Sequence, residues 1–366
     1  MKHLLLATTA LVAFAGAAAA EITVTGESRI GLRYDSDQDS LCVESVGGVD
    51  TVVDCERDTW NVVNRIRAWF NMAGETDSGL SFGAELQVDT ADSAGDGFGS
   101  FGDDNSVWIS GAYGRLEAGD VNAAIESAVG DLPEIGLTEL ENWNEMSYST
   151  TDATSAGIDL DGDGIIDYDG DYSDDATLLY SYQFGDASLY ASFTDSFFDN
   201  GGLRKGDAWS LGAGYELGNY TFGIGYEDAE YFVLPFVDDG VLAGVDSKTW
   251  GISGGTSWQG ITFKAIYLSS DIEDDLTDDQ LDVKQYGIGA EYAMANGIGL
   301  AGYYRKVEFN PDGPDNDTDV DAYGIGASYD LGGGATLLGG IAKRDSDNEL
   351  FIDDATIADF GLEVKF

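Results

Sequence analysis

Residues 207–228 read DAWSLGAGYELGNYTFGIGYED. Trp209, Leu211, Ala213, Tyr215 and Leu217 alternate with Ser210, Gly212, Gly214 and Glu216. After Gly218 and Asn219, Tyr220, Phe222, Ile224 and Tyr226 alternate with Thr221, Gly223, Gly225 and Glu227. Successive side chains of a strand point to opposite faces, so this is a hairpin with one apolar face and one face of glycine and acid. Residues 283–294 repeat the pattern, with Tyr286, Ile288, Ala290 and Tyr292 against Gly287, Gly289 and Glu291. Aromatic residues at both ends of an apolar stripe, strand after strand, fit the two interfaces of a bilayer better than a soluble core.

Working outward, the same period predicts strands over 22–34, 60–73, 80–89, 105–112, 114–120, 176–184, 187–195, 207–217, 220–228, 248–258, 261–270, 283–294, 298–309, 320–330, 335–344 and 356–366. Short turns at 74–79, 113–114, 185–186, 218–219, 259–260, 296–297 and 332–334 alternate with long connections such as 35–59, 228–247, 271–282 and 310–319. Short turns on one side and long loops on the other are the asymmetry of an outer-membrane barrel. The last strand carries Ile357, Phe360, Leu362, Val364 and a terminal Phe366, a pattern that resembles the sorting signal of such barrels. The expected fold is all-β: a transmembrane antiparallel β-barrel of 16 strands. In strand 335–344, Leu337 and Leu338 compete for the outer face.

Composition narrows the function. The 366 residues include 68 acidic and 17 basic ones, for a net charge of −51. A polyphosphate would be repelled, so no nucleic-acid partner is expected. With 43% hydrophobic residues the chain is not a disordered polyanion. Residues 1–20 have a basic start, an apolar run and the small-residue end Ala18-Ala19-Ala20, which together predict a cleaved export signal and a barrel over 21–366. The one histidine, His3, lies in that signal, so the exported chain could build neither a Ser-His-Asp triad nor a His-ligated metal centre. Cys42 and Cys55, the two cysteines, flank a polar stretch and are expected to form a disulfide in an oxidising compartment.

Residues 25–31 (TGESRIG) in the first strand, 113–120 (YGRLEAGD) in the fifth, and the following 121–128 (VNAAIESA) and 133–136 (PEIG) resemble the trimeric general porins of Gram-negative bacteria, of the alphaproteobacterial type. The resemblance covers essentially the whole exported chain. It implies a homotrimer among outer-membrane lipid and lipopolysaccharide, and passage of small polar solutes and ions. It also implies that 121–146 folds inward as a constriction loop, bringing Glu126, Asp131, Glu134, Glu139, Glu141 and Glu145 into the barrel. On the wall, the apolar face Ile22, Val24, Ile30 and Leu32 turns Glu27, Arg29 and Arg33 inward, and Trp60, Val62, Ile66, Ala68 and Phe70 do the same for Arg65 and Arg67. Arginines facing an acidic loop would set up a transverse field, or pair with Glu27, Glu85 or Glu117 to hold the wall; an acid surplus in the lumen predicts mild cation selectivity.

An acidic insertion, 152–175, departs from the family pattern. Its residues 159–167 (DLDGDGIID) follow the start of an EF-hand loop: Asp159, Asp161 and Asp163 at alternate positions, Gly164 at the turn, Ile165, then Asp167. Gly170 stands where the bidentate Glu belongs, leaving Asp171 as substitute; the expected ligand is Ca²⁺. Two other roles compete with general diffusion. A solute-specific channel would need lumen-facing aromatics, for which Tyr190 and Tyr303 have the right parity, and a calcium-dependent adhesin would need a plugged lumen.

Overall fold

The computed structural model describes residues 21–36, 40–46, 49–55, 60–90, 105–148, 177–199, 203–233, 243–274, 280–311, 318–347 and 354–366. Its strands are β1 (Glu21–Asp35), β2 (Ser40–Val46), β3 (Val49–Cys55), β4 (Trp60–Glu75), β5 (Ser81–Asp89), β6 (Ser106–Gly111), β7 (Gly114–Gly119), β8 (Thr177–Phe184) and β9 (Ala187–Asp199). They continue with β10 (Leu203–Leu217), β11 (Tyr220–Val233), β12 (Ala243–Trp258), β13 (Ile261–Asp274), β14 (Gln280–Ala293), β15 (Ile298–Pro311), β16 (Thr318–Gly332), β17 (Ala335–Ser346) and β18 (Ala355–Lys365). A single short α-helix, α1 (Ala124–Val129), and a tight turn at Glu139–Asn142 lie between β7 and β8 among the described residues.

β1 and β4 to β18 close into one antiparallel barrel in which every strand pairs with its sequence neighbours and β1 pairs with β18. Closure leaves no unpaired edge, which is the condition for a sheet to cross hydrocarbon. The seam is finished by the C-terminus: Phe366 N donates to Gly26 O at 2.8 Å and Gly26 N to Phe366 O at 2.6 Å. All sixteen expected barrel strands are present. Most of β9 to β16 run several residues further on the long-loop side than the apolar stripe, because backbone pairing continues where side chains have left the hydrocarbon layer. The expected 35–59 loop contains a hairpin, β2–β3, that stands apart from the barrel sheet.

Side-chain parity follows the sequence pattern across most of the wall. Ile22, Val24, Ile30, Val62, Ile66, Leu211, Phe222, Ile224 and Ile288 are exposed on the outside, while Arg29, Ser210, Glu227 and Gln285 are buried inside. One residue differs from expectation and one open choice is settled. Ile357 does not join the outer stripe of the last strand; it is buried inside, one parity step from Phe360, and belongs to the interior apolar cluster. The Leu337–Leu338 tie is settled by register, since Leu337 pairs with outward Leu362 and Leu338 with Gly361.

Candidate functional site: the segment seated inside the barrel

Gly119 ends β7, and after Asp120 the chain turns into the barrel instead of crossing directly to β8. Residues 121–148 run along the inner wall, and the interior apolar cluster is made of this segment and of the wall behind it. Ile125, Val129, Leu132, Ile135, Leu140, Trp143, Met146 and Tyr148 pack with Ile266, Leu268, Tyr303, Ala322, Ala342 and Ile357. Tyr303, with the parity of a channel-lining aromatic, is therefore covered by the segment and does not line an open passage.

The lumen-facing glycines explain how a chain segment fits so close to a sheet. A Cβ built on Gly212 or on Gly223 would lie 2.1 Å from the carbonyl oxygen of Ala124 or Ala128. On Gly289 it would meet Pro133 Cδ at 2.2 Å, on Gly324 Ile135 Cδ1 at 2.4 Å, and on Gly31 Leu137 Cδ2 at 2.3 Å. These positions follow the segment from β10 round through β16 to β1. The glycine-rich inner face is a seat for backbone; missing side chains give the segment its depth.

Polar wall groups fix it in place. α1 has no capping side chain of its own; instead Ser192 Oγ and Ser210 Oγ accept from Ala124 N (3.0 Å) and Ile125 N (3.2 Å). Such amides are otherwise left without partners at a helix start. Further on, Asp359 of β18 accepts from Leu137 N (2.7 Å), Thr138 N (2.6 Å) and Thr138 Oγ1 (2.9 Å), and its other oxygen from Gly340 N (3.1 Å). At the return, Gln285 exchanges bonds with the backbone of Ser147 (3.0 and 2.7 Å), and Arg305 donates to Ser147 Oγ (2.6 Å) and Gln285 Oε1 (2.9 Å).

Between these anchors, Glu139, Leu140, Glu141 and Asn142 all have φ between 49° and 62°. Four consecutive L-residues in the left-handed region cost on the order of 1–2 kcal/mol each. Strain of this kind persists only where surroundings impose it, and here the surroundings are charged. Arg29 donates to Leu137 O and to Glu139 Oε1, both at 2.8 Å. Arg33 binds Glu141 and, at 2.9 Å, Asp35. Arg65 and Arg67 share Asp89, Arg67 Nε donating at 2.8 Å, while Arg65 lies 3.7 Å from Glu139 and Arg67 3.7 Å from Glu27. The left-handed turn thus places Glu139 and Glu141 beside the arginines of β1 and β4.

The remaining acids of the segment are distributed along it. Glu126 Oε1 accepts from Asn122 Nδ2 at 2.6 Å, and Asp131 Oδ1 from Met146 N at 2.7 Å. Burial raises the Asp131 carboxyl above its ordinary range, against the pull of the Met146 amide, Lys264 and Arg305. Burial also raises Glu134, helped by Glu139 and Glu363 and opposed by Lys365 and Arg29. Residue reading missed Asp359, Asp89, Gln285 and Arg305, as well as Trp108, whose ring lies 4.4 Å from the Arg115 guanidinium. Asp359 and Asp89 had the inward parity that would have nominated them, but an acid's partners are not visible in parity. Asp159, Asp161, Asp163, Ile165, Asp167 and Asp171 lie outside the described residues, as do the whole 152–175 insertion, residues 1–20 and the side chains of Cys42 and Cys55. Among the described residues, no three acidic side chains converge as a metal site would require.

Residues 7–349 match the family of Gram-negative porins. The chain belongs to that family. It is 30% identical to a porin of Rhodobacter capsulatus over 325 residues, covering 77% of this chain and 93% of that one. A porin of Fuscovulum blasticum is 29% identical over 316 residues, with the same coverage. A solved porin structure aligns with a TM-score of 0.66 at 28% identity, over 94% of this chain and all of its own. An anion-selective porin of Comamonas acidovorans shares the fold alone, with a TM-score of 0.64 at 14% identity, over 95% of this chain and all of its own. This porin is accordingly an outer-membrane channel protein.

Proposed function

We propose that the barrel is a water-filled channel for passive diffusion of small polar solutes and ions, narrowed by segment 121–146 and mildly cation-selective. The observation that carries this reading is the segment itself, which enters the barrel, covers the glycine-rich part of the inner wall and leaves the charged part facing the passage. Glu139, Glu141, Arg29, Arg33, Arg65 and Arg67 sit where such a passage is tightest, with Glu126, Asp131 and Glu134 along its edge. Lumen acids such as Glu27, Glu291 and Glu363 add to those of the segment, and a narrow passage with low-dielectric walls magnifies their surplus. Reversal potentials in planar bilayers across a salt gradient test the sign; an anion preference overturns it. The fold does not decide that sign, as the anion-selective relative in fold shows.

Three further parts belong to the same reading. The porin is proposed to be a homotrimer, joined through the outer face of β1 and β4 to β7. That sector is mainly aliphatic, with Ile22, Val24, Ile30, Val62, Ile66, Val107 and Ile109 beside the exposed aromatics Trp60, Phe82 and Tyr113, whereas the outer faces of β10 to β16 carry fuller aromatic belts, with Trp209, Trp250, Tyr286 and Tyr323 in one and Tyr215, Tyr220, Trp258 and Tyr292 in the other. Belts of this kind mark lipid interfaces. Unheated gel migration and cross-linking test the assembly. Calcium is proposed at Asp159, Asp161, Asp163, Ile165, Asp167 and Asp171; elemental analysis and heat stability in chelator test it. A Cys42–Cys55 disulfide is proposed from the oxidising compartment; the β2–β3 register sets Cys42 opposite Val53 and Cys55 opposite Ser40, so the two are diagonal neighbours and the bridge requires a local shift of the hairpin. A mass shift on reduction and alkylation tests it.

A further inference from the structure

The inner faces of β6 to β9 form a sector that segment 121–148 does not cover. Val107, Ile109, Leu116, Tyr180 and Leu189 are exposed on the outside, so Trp108, Arg115, Glu117, Ser181 and Tyr190 turn inward. The same face of β9 carries Ser192, which accepts from Ala124 N at the start of α1. There the wall is buried beneath the segment. Trp108, Ser181 and Tyr190 are only half-buried, and the Arg115 side chain is 38% exposed.

One end of this sector is a fixed stack. A Cβ on Gly83 would lie 2.6 Å from Trp108 Cζ2, so the indole rests on bare backbone. The Arg115 guanidinium carbon is 4.4 Å from the centre of that ring, a cation–π contact. Arg115 Nε donates to Glu117 Oε2 at 2.8 Å and Nη2 to Oε1 at 2.7 Å, while Ser106 Oγ donates to the same Oε1 at 2.7 Å. A bidentate pair of this kind fixes the plane of the guanidinium and leaves Nη1 outside the pair. The other end is Tyr190. Ser181 is opposed in register to Arg115 on one side and to Tyr190 on the other. Arg115 and Tyr190 therefore stand two strand spacings apart, about 10 Å between Cα atoms, with the Ser181 hydroxyl between them. Gly212, opposed to Tyr190, lies under the Ala124 carbonyl, so α1 borders that end.

This sector is neutral in a lumen with a surplus of acid. Arg115 and Glu117 cancel, and the inward positions of β8 and β9 between Thr177 and Thr194 carry no charge. A cation is drawn to the carboxylates elsewhere, and an anion meets no net positive charge here. What these surfaces match is a neutral ring with an apolar face and a hydroxylated edge. The face lies on the Tyr190 ring, and edge hydroxyls donate to Glu117 and accept from Arg115 Nη1 and Ser181 Oγ. We propose that this sector is a subsite for neutral sugars in transit. The subsite rests on the barrel being a water-filled channel.

The test uses the full-length porin in planar bilayers, with maltose as probe and a polyethylene glycol of equal mass as control for volume alone. Ion current is expected to fall along a saturation curve with maltose and without saturating with the glycol. Tyr190→Ala, which removes the ring, and Trp108→Ala, which frees the guanidinium, should each raise the half-saturating maltose concentration roughly fivefold, and Tyr190→Phe should stay within roughly twofold. Maltose acting just as the glycol does overturns the proposal, and that arm needs no variant to fold. Unchanged half-saturation in both alanine variants overturns it too. So does saturation by benzoate at a lower concentration than maltose, which assigns Arg115 to anions. Absence of any ion current overturns the channel reading and the subsite with it; ion current without a saturable effect of maltose removes the subsite alone.

Discussion

The two halves of the inner wall are built on opposite principles. From β10 round to β18 the part of the lumen face under segment 121–148 is rich in glycine, alanine and buried apolar side chains, with Ser210, Gln285, Arg305 and Asp359 as polar anchors. On β1, β4 and β5 the lumen face carries Arg29, Arg33, Arg65, Arg67 and Asp89, and the segment reaches it through Leu137 and the left-handed turn at 139–142. The first half shows that a sheet takes up backbone where side chains are removed. The second shows that a strained turn can be held by charge where shape gives no seat. The charge-assisted bonds of Arg29, Arg33 and Asp359 are what restrain that turn.

The largest break in this comparison comes from the glycine side. Gly223→Leu places side-chain atoms where the carbonyl of Ala128 now sits, 2.1 Å from a Cβ. The segment cannot keep its seat, while the barrel hydrogen bonds are untouched. Single-channel conductance is expected to rise severalfold with unheated gel migration unchanged. Conductance equal to the wild type would show that the segment does not narrow the pore.

Next in size is Asp359→Ala, which leaves two buried amides and a hydroxyl without their acceptor, about 1–3 kcal/mol for each group. The left-handed turn should lose its lead-in, and bilayer recordings should show large open-channel fluctuations. Asp359→Asn keeps one acceptor oxygen and should fall between Ala and wild type.

Charge substitutions sharpen the other half. Glu139→Gln with Glu141→Gln is expected to lower the cation-to-anion permeability ratio by a fewfold, and Arg33→Ala with Arg65→Ala to raise it, with smaller changes in conductance. Reversal potentials read both. Shifts in the same direction for the two pairs would show that they act through fold and not through field.

The smallest effect is on pH. Asp131 and Glu134 have raised carboxyl pKa values in the folded protein, both chiefly through burial. Their contribution to holding the segment is therefore full below the ordinary carboxylate values and is lost as pH rises through the raised ones. Lowering pH from neutrality toward the ordinary carboxylate range should protonate these two early. Cation preference should weaken and segment fluctuations should quieten over that range. In an Asp131→Asn, Glu134→Gln variant the dependence should flatten.

Legibility in the sequence followed the same division. Arg29, Arg33, Arg65 and Arg67 could be placed inside because parity along one strand needs only the apolar stripe beside it. The glycines were equally visible, but their partners are some 70 to 200 residues away along the chain, and their seat function appears only when the segment lies on them. Ile357 broke the rule that apolar means outward, because the segment creates a second apolar environment inside the barrel. Tyr303 was nominated for the passage by parity and is covered for the same reason.

What the sequence determined by itself is the strand count, the two faces, the direction of the long loops and the sign of the charge. These are local properties, set by the two-residue period against a bilayer that satisfies no backbone group. The tertiary structure alone decided which side of β17 takes Leu337 and which carboxylate holds which arginine. It also decided that a run of glycines is a place for chain to rest. Each of those depends on closure of the barrel, which brings β18 beside β1 and lays residues 121–148 against strands that follow them much later in the sequence.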